Sequence, residues 1–203
     1  MKESVSQIIE LKINRCKPGQ VFSPSDFKDL GTSTAIRKAL SRLVESGQAE
    51  RMGQGIYVIP KKDKVFGKVL PSMEQLAEAL AKKEHVKIKP SGQYALNKVG
   101  LSTQVPMRLV FLTSGNSKRI QIGKSAIIFK STTAKKLSMK GDITSLLFLG
   151  LEELDLQKLS PTQMFRIREL LQHESPENLK YNLRLAPIKV SDFVVKNFTK
   201  PAL

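Results

Sequence analysis

Val5, Ile8, Ile9, Ile13 and Cys16 fall on one helical stripe, which predicts a first helix over about Ser4–Arg15, closed by Pro18-Gly19. Phe22-Ser23-Pro24-Ser25-Asp26-Phe27 spells a second start. Ser23 stands at the cap, Pro24 at the first helical position and Asp26 where a capping carboxylate belongs, and Phe22 and Phe27 are spaced as a hydrophobic staple. Gly31 keeps this helix short. Thr32 or Ser33 caps a third helix that runs to about Ser46 and closes at Gly47. Ile36, Ala39, Leu40 and Leu43 form its apolar face, and Thr34, Arg37, Lys38, Ser41, Arg42 and Glu45 project on the opposite one. Ala49–Met52, Gly53-Gln54-Gly55 and Ile56–Ile59 then read as strand, turn and strand.

A basic stretch broken by Pro and Gly, Pro60–Lys68, reads as a linker. Beyond it the pattern is mixed. Ser72 and Gln75 are spaced as a capping box before the stripe Met73, Leu76, Ala77 and Leu80. Val86–Lys89 alternates as a strand ended by Pro90, and Gln93–Val99 reads as a short helix stopped by Gly100. Met107–Thr113, Arg119–Ile122 and Ala126–Lys130 read as strands, with turns at Ser114-Gly115-Asn116 and Gly123. From Asp142 the pattern is helical: Leu159–Met164 repeats the cap, Pro, box and staple signature, Ser175-Pro176-Glu177 opens another helix, and Phe193, Val194, Val195 and Phe198 give the tail a face to dock with. The fold class expected is α+β. Residues 1–62 form one small domain, and residues 68–203 form a mixed α/β domain with a small sheet and C-terminal helices.

Helix, helix, tight turn, helix and β-hairpin, in that order, is the winged helix-turn-helix arrangement. There the third helix enters the major groove and the wing touches phosphate or the minor groove. The candidate DNA-binding residues are therefore Ser33, Thr34, Arg37, Lys38, Ser41 and Arg42 on helix three, with Arg51 and Gln54 on the wing. Arg and Lys reach guanine acceptors or phosphates, and hydroxyls suit either. A solvated helix face on a generic helical domain, or a protein-docking winged helix, fits the same pattern.

Charge makes a polyanionic partner the natural expectation: the chain has 203 residues, 34 Lys+Arg, 18 Asp+Glu and a formal net charge of +16. The longest apolar runs, Leu109–Leu112 and Leu146–Leu149, fall far short of the ~20 residues that span a bilayer. No membrane partner is expected. Glu3, Ser4, Ser6 and Gln7 stand where the apolar part of a leader would begin, and the single Cys16 allows no internal disulfide. The expectation is a cytoplasmic protein. Most of the surplus lies outside the first domain. Between Lys82 and Lys140 there are thirteen basic residues against one acid, Glu84. Lys87, Lys89, Lys98, Arg108, Lys118, Arg119 and Lys124 form a candidate second surface for nucleic acid or a partner, against the alternative of a solvated lysine-rich face.

No catalytic, metal or cofactor site is expected. Gly123-Lys124-Ser125 resembles the end of a phosphate-binding loop, but the required earlier glycine is Lys118 and the tripeptide lies between two strands. His85 and His173 are far apart and have no local ligand companions, and His173 reads as a helix end. Cys16 reads as a small core residue. The acid-x-Lys matches Glu10-Leu11-Lys12 and Asp26-Phe27-Lys28 sit in helices, which argues against a metal-dependent nuclease but leaves it as an alternative. An RNA-binding module is another alternative. Aromatics are only 6% of the chain and Trp is absent, so stacking platforms are few.

The run Lys89–Pro106 carries Pro-Ser-Gly-x-Tyr-Ala-x-Asn-x-x-Gly-Leu-Ser-Thr-Gln-x-Pro, followed by Thr-Ser-Gly-Asn and Ile-Gly. It resembles the transcriptional-regulator antitoxins of type IV abortive-infection toxin–antitoxin systems, in a bacterial uncharacterised subfamily with the same winged N-domain. The likeness covers about residues 4–132. It implies a double-stranded DNA partner, an operator with inverted repeats at the protein's own operon. It also implies a C-domain that counteracts a nucleotidyltransferase-like toxin without needing a stable complex with it. The motif names no catalytic residue.

Overall fold

A computed structural model describes residues 4–198, so Glu3, read above against a leader, lies outside the described residues. The chain is α+β with small sheets and divides into two compact units. One runs through Lys83 and takes in Ile120–Lys124; the other comprises Glu84–Arg119 and the described residues from Ser125 onward. This division falls after Lys83, past the boundary expected near residue 62, so the helix opened by Ser72 is grouped with the first unit.

In the first unit α1 (Val5–Asn14) starts at a capping box, Ser4 and Gln7 bonding each other's backbone N–H across the first turn. After the short β1 (Val21–Phe22), the second helix is a 3₁₀ helix, Pro24–Leu30. The Asp26 carboxylate accepts from the Ser23 N–H at 2.8 Å, and the staple pair Phe22 and Phe27 meets edge to face at 6.1 Å. Gly31 ends this helix by a different route from the left-handed cap that its position suggests. Its backbone is extended, at φ 164°, and a Cβ there would lie 2.8 Å from Val5 Cγ2, so the close approach of α1 is what requires glycine.

α2 (Ser33–Glu45) is capped by Thr32, whose Oγ1 accepts from the Ala35 N–H. It closes on Gly47 at φ 71°, with Gln48 N–H reaching back to the Leu43 carbonyl at 3.0 Å. β2 (Glu50–Gly53) and β3 (Ile56–Val58) form a hairpin with an irregularity between Arg51 and Gly53, and β1 joins the far side of β3 to give the order β1-β3-β2. Ile9, Ile13, Phe22, Phe27, Ile36, Leu40, Leu43 and Tyr57 make the core. Each such side chain contributes roughly 1.5–3 kcal/mol by leaving water.

The expected linker is instead an exposed two-stranded hairpin: β4 (Lys61–Asp63) pairs antiparallel with β5 (Gly67–Val69). α3 (Met73–Lys83) follows from the Ser72–Gln75 capping box. Lys83 at its end ties it to the first unit, with Nζ 2.6 Å from Asp26 Oδ2 and 2.7 Å from Ser23 Oγ.

A four-stranded sheet has the order β6-β7-β9-β8, with β6 (Ile88–Ser91), β7 (Arg108–Thr113) and β9 (Ser125–Ser131) in the second unit and β8 (Lys118–Ile122) grouped with the first from Ile120 onward. β6 runs antiparallel and β9 parallel to β7. Pro90 does not end its strand as expected: it pairs with Phe111 inside β6, because β6 is a sheet edge and the missing N–H costs no ladder bond. α4 (Gly92–Lys98) stops at Gly100, whose φ of 74° lets Leu101 N–H reach the Leu96 carbonyl.

The short α5 (Ala134–Leu137) leads to α6 (Asp142–Leu151), in which Leu147, Phe148, Leu149 and Leu151 are all buried. α6 is the spine of the second core. α7 (Pro161–Gln172) and α9 (Ile188–Phe198) pack Ile167, Leu170, Val190 and Val194 into the same cluster, and α8 (Pro176–Leu185) lays the partly buried Leu179 and Leu183 against it. The expected docking of the tail is therefore seen as far as Phe198.

Candidate nucleic-acid interface

α2 divides cleanly. Ile36, Ala39, Leu40 and Leu43 point into the core, while Ser33, Thr34, Arg37, Lys38, Ser41 and Arg42 are exposed on the solvent side. Thr34, Arg37, Lys38, Ser41, Arg42 and Glu45 line one shallow groove along the helix. Among the described residues, no ion pair engages Arg37, Lys38 or Arg42. Three cations and two hydroxyls are thus held on a rigid rod by apolar side chains on its other face, with their donors directed to solvent. Such a surface can bond phosphate oxygens and base-edge acceptors.

The hairpin beside it carries the other two residues. Arg51 is exposed on β2, its Nε donating to the Gly53 carbonyl at 3.4 Å, and Gln54 is exposed in the turn. Gly55 takes φ 69°, the left-handed conformation this tight turn requires.

The seven cations of the candidate second surface do not form one free face. Lys89 is half-buried: its Nζ donates to the Met139 carbonyl, and burial pulls its pKa down against the opposing pull of Asp142. Lys118 bridges to Glu84 and sits over the Phe129 ring at 5.0 Å. Lys98 lies 5.7 Å from the Tyr94 ring centroid. Lys87, Arg108, Arg119 and Lys124 are exposed, and Lys124 lies in the β8–β9 segment grouped with the first unit. Strand alternation could not anticipate the loss of Lys118 and Lys89, because their partners Glu84 and Met139 lie 34 and 50 residues away in sequence.

The motif of the resemblance is largely built into the fold. Asn97 Nδ2 donates to the carbonyls of Ser102 and Gln104 at 3.2 and 3.1 Å, and the Ser102 hydroxyl accepts from Gln93 Nε2. These bonds hold the loop after α4.

Elsewhere the groups considered for chemistry are placed as follows. Gly123-Lys124-Ser125 forms the β8–β9 turn and opens no helix. His173 is the C-terminal cap of α7. His85 is exposed with φ 54°. Cys16 corrects its expectation: it lies past the end of α1, half-buried and outside the core cluster, with its thiol donating to the Lys12 carbonyl at 3.3 Å. Burial raises its pKa, so it stays a thiol. Asp26 is taken up by Ser23 and Lys83. Among the described residues, no three His, Cys, Asp or Glu side chains cluster to hold a metal. Among the same residues, no helix is long and apolar enough to cross a membrane.

The chain belongs to DUF6088, a family of unknown function, which matches residues 7–179 and so takes in α2, the hairpin and most of the second unit. No curated protein matches it.

Proposed function

We propose that the first unit is a winged helix-turn-helix that binds double-stranded DNA, with α2 as the reading helix and β2–β3 as the wing. The observation that carries this reading is the solvent face of α2, where Arg37, Lys38 and Arg42 stand unpaired among the described residues beside Thr34 and Ser41. The order α1, β1, 3₁₀ helix, α2, β2, β3 and the sheet order β1-β3-β2 support it. The basic composition supports it further.

In this reading the protein is a cytoplasmic transcriptional regulator that represses its own operon. The resemblance at Lys89–Pro106 supports the second half of the proposal, an antitoxin that counteracts a nucleotidyltransferase-like toxin. The test of the first half is binding of a labelled duplex from the region upstream of the protein's own gene. Arg37→Ala costs ~1–3 kcal/mol there if the guanidinium makes a bidentate base contact. Unchanged binding by the Arg37→Ala/Arg42→Ala double variant would sink the assignment. Degradation of the duplex on adding Mg²⁺ or Mn²⁺ would instead turn the reading to a nuclease. For the second half, co-expression with a nucleotidyltransferase toxin encoded beside the gene restores growth. Growth arrest despite co-expression removes the antitoxin role and leaves DNA binding standing.

A further inference from the structure

The β4–β5 hairpin has an unusual tip. All six strand residues are exposed, and the turn between them presents Val65 and Phe66, 83% and 81% exposed. The turn is ordered from within. Asp63 Oδ1 accepts from the backbone N–H of Val65 at 2.8 Å and of Phe66 at 2.9 Å, and Gly67 at φ 70° turns the chain back. Those two bonds hold the Asp63 carboxyl below the ordinary carboxylate range, so the turn is braced at neutral pH. Lys64 stands in the turn and Lys62 next to it on β4, while Lys61 lies at the base of the hairpin opposite Val69; none of the three has an ion pair among the described residues, and Lys68 is anchored to Glu50 at 2.5 Å.

An isolated two-stranded ribbon is marginal in water, and neither large apolar side chain at its end gains from folding. A short ribbon with cations along its flanks and a bare aromatic at its point has the make-up of a duplex wedge. Lysines meet the phosphates while an apolar side chain enters between base pairs and unstacks them. The lysines give the tip a polyanion to rest on. The same compact unit carries the unpaired cations of α2, so one bound duplex is the partner that charge complementarity favours. We propose that Val65-Phe66 is a wedge that inserts into double-stranded DNA and kinks it. The proposal rests on the DNA-binding reading of the first unit and adds a second, deforming contact to it.

The chain contains no tryptophan, so Phe66→Trp in the full-length protein installs a single indole reporter at the tip, where its exposure spares the core. The probe is a mixed-sequence duplex at low salt, with binding followed independently by the anisotropy of an end label. Insertion predicts loss of the indole emission and loss of acrylamide access in step with binding. In parallel, a duplex carrying a dye pair at its ends should shorten with the native chain and stay straight with the Val65→Ala/Phe66→Ala variant, which still binds. A duplex that binds while the reporter stays bright and accessible, and that stays straight with the native chain, overturns the wedge but leaves the α2 reading intact. No binding by anisotropy overturns both. A blue shift of the reporter on phosphatidylglycerol vesicles, with no response to duplex, overturns the wedge in favour of a lipid surface.

Discussion

Gly141 starts α6 without a side chain to cap it, and Glu174, at the end of α7, supplies the missing acceptor. One carboxylate oxygen accepts from the Thr144 N–H at 3.1 Å and its hydroxyl at 2.8 Å; the other accepts from Ser175 N–H and Asn178 Nδ2. A Cβ at Gly141 would fall on this carboxylate, and the φ of 72° independently favours glycine there. Fully buried Asn182 completes the arrangement, bonding the Lys140 N–H and carbonyl and the Thr144 hydroxyl. Burial alone would raise the Glu174 pKa, but the four hydrogen bonds outweigh it and the net shift is downward. A carboxyl with a depressed native pKa stabilises the fold in full above the ordinary glutamate range. That contribution is lost as pH falls through the lower native value. Glu174→Ala should therefore cost about 1–2 kcal/mol at neutral pH, the range for losing a cap and its buried bonds. The gap between native and variant melting temperatures should close on acidification. A gap that persists undiminished well below the glutamate range would show that the carboxylate's charge contributes nothing.

Elements written by local chemistry were legible in the sequence. Ser72/Gln75 and Ser160/Gln163 close as the capping boxes their spacing spells, because a box needs only four consecutive residues, and the structure adds a third at Ser4/Gln7 that the sequence reading does not single out. The two faces of α2 were legible for the same reason, since residue spacing alone sets them. Leu40→Ala should cost about 2–5 kcal/mol in denaturant unfolding, whereas Arg37→Ala should stay within about 0.5 kcal/mol. Equal losses would mean that the exposed face also holds the fold together. What could not be read locally was pairing. The β4–β5 hairpin is hidden by a lysine-rich composition that spells loop, and nothing near Pro90 says that its strand is an edge. Gly150 is silent as well. It lies inside α6 where a Cβ would meet Leu96 Cδ2 at 2.8 Å and the Leu96 backbone N at 3.3 Å, so α4 and α6 touch through it. Gly150→Ala should gain ~1 kcal/mol of helix propensity yet lose about 1–3 kcal/mol to overpacking. A variant more stable than the native chain would show that α4 can retreat.

At the scale of the whole molecule the question is where the +16 charge is used. Cutting the chain to answer it is a poor choice. A break at residue 65 would split the β4–β5 hairpin and discard α3, and the first unit also recruits Ile120–Lys124 from far along the sequence. Substitution in the intact chain avoids this, and the environments of the cations say which to change. Lys89 and Lys118 are bound internally, to the Met139 carbonyl and to Glu84, so neutralising them should alter stability rather than DNA affinity. Arg51, Lys87 and Arg108 are exposed, and each phosphate that one of them neutralises adds about 0.9 to the slope of log K against log salt on duplex DNA. Arg51→Ala should lower that slope by about one and weaken all sequences alike, as a wing contact to phosphate requires. Lys87→Ala/Arg108→Ala should lower it by up to about two more if the second unit extends the footprint. Lys89→Met serves as the control that leaves it unchanged. If Arg51→Ala alone moves the slope, the second unit stays off the DNA, and its exposed cations remain for RNA, a partner protein or solvent.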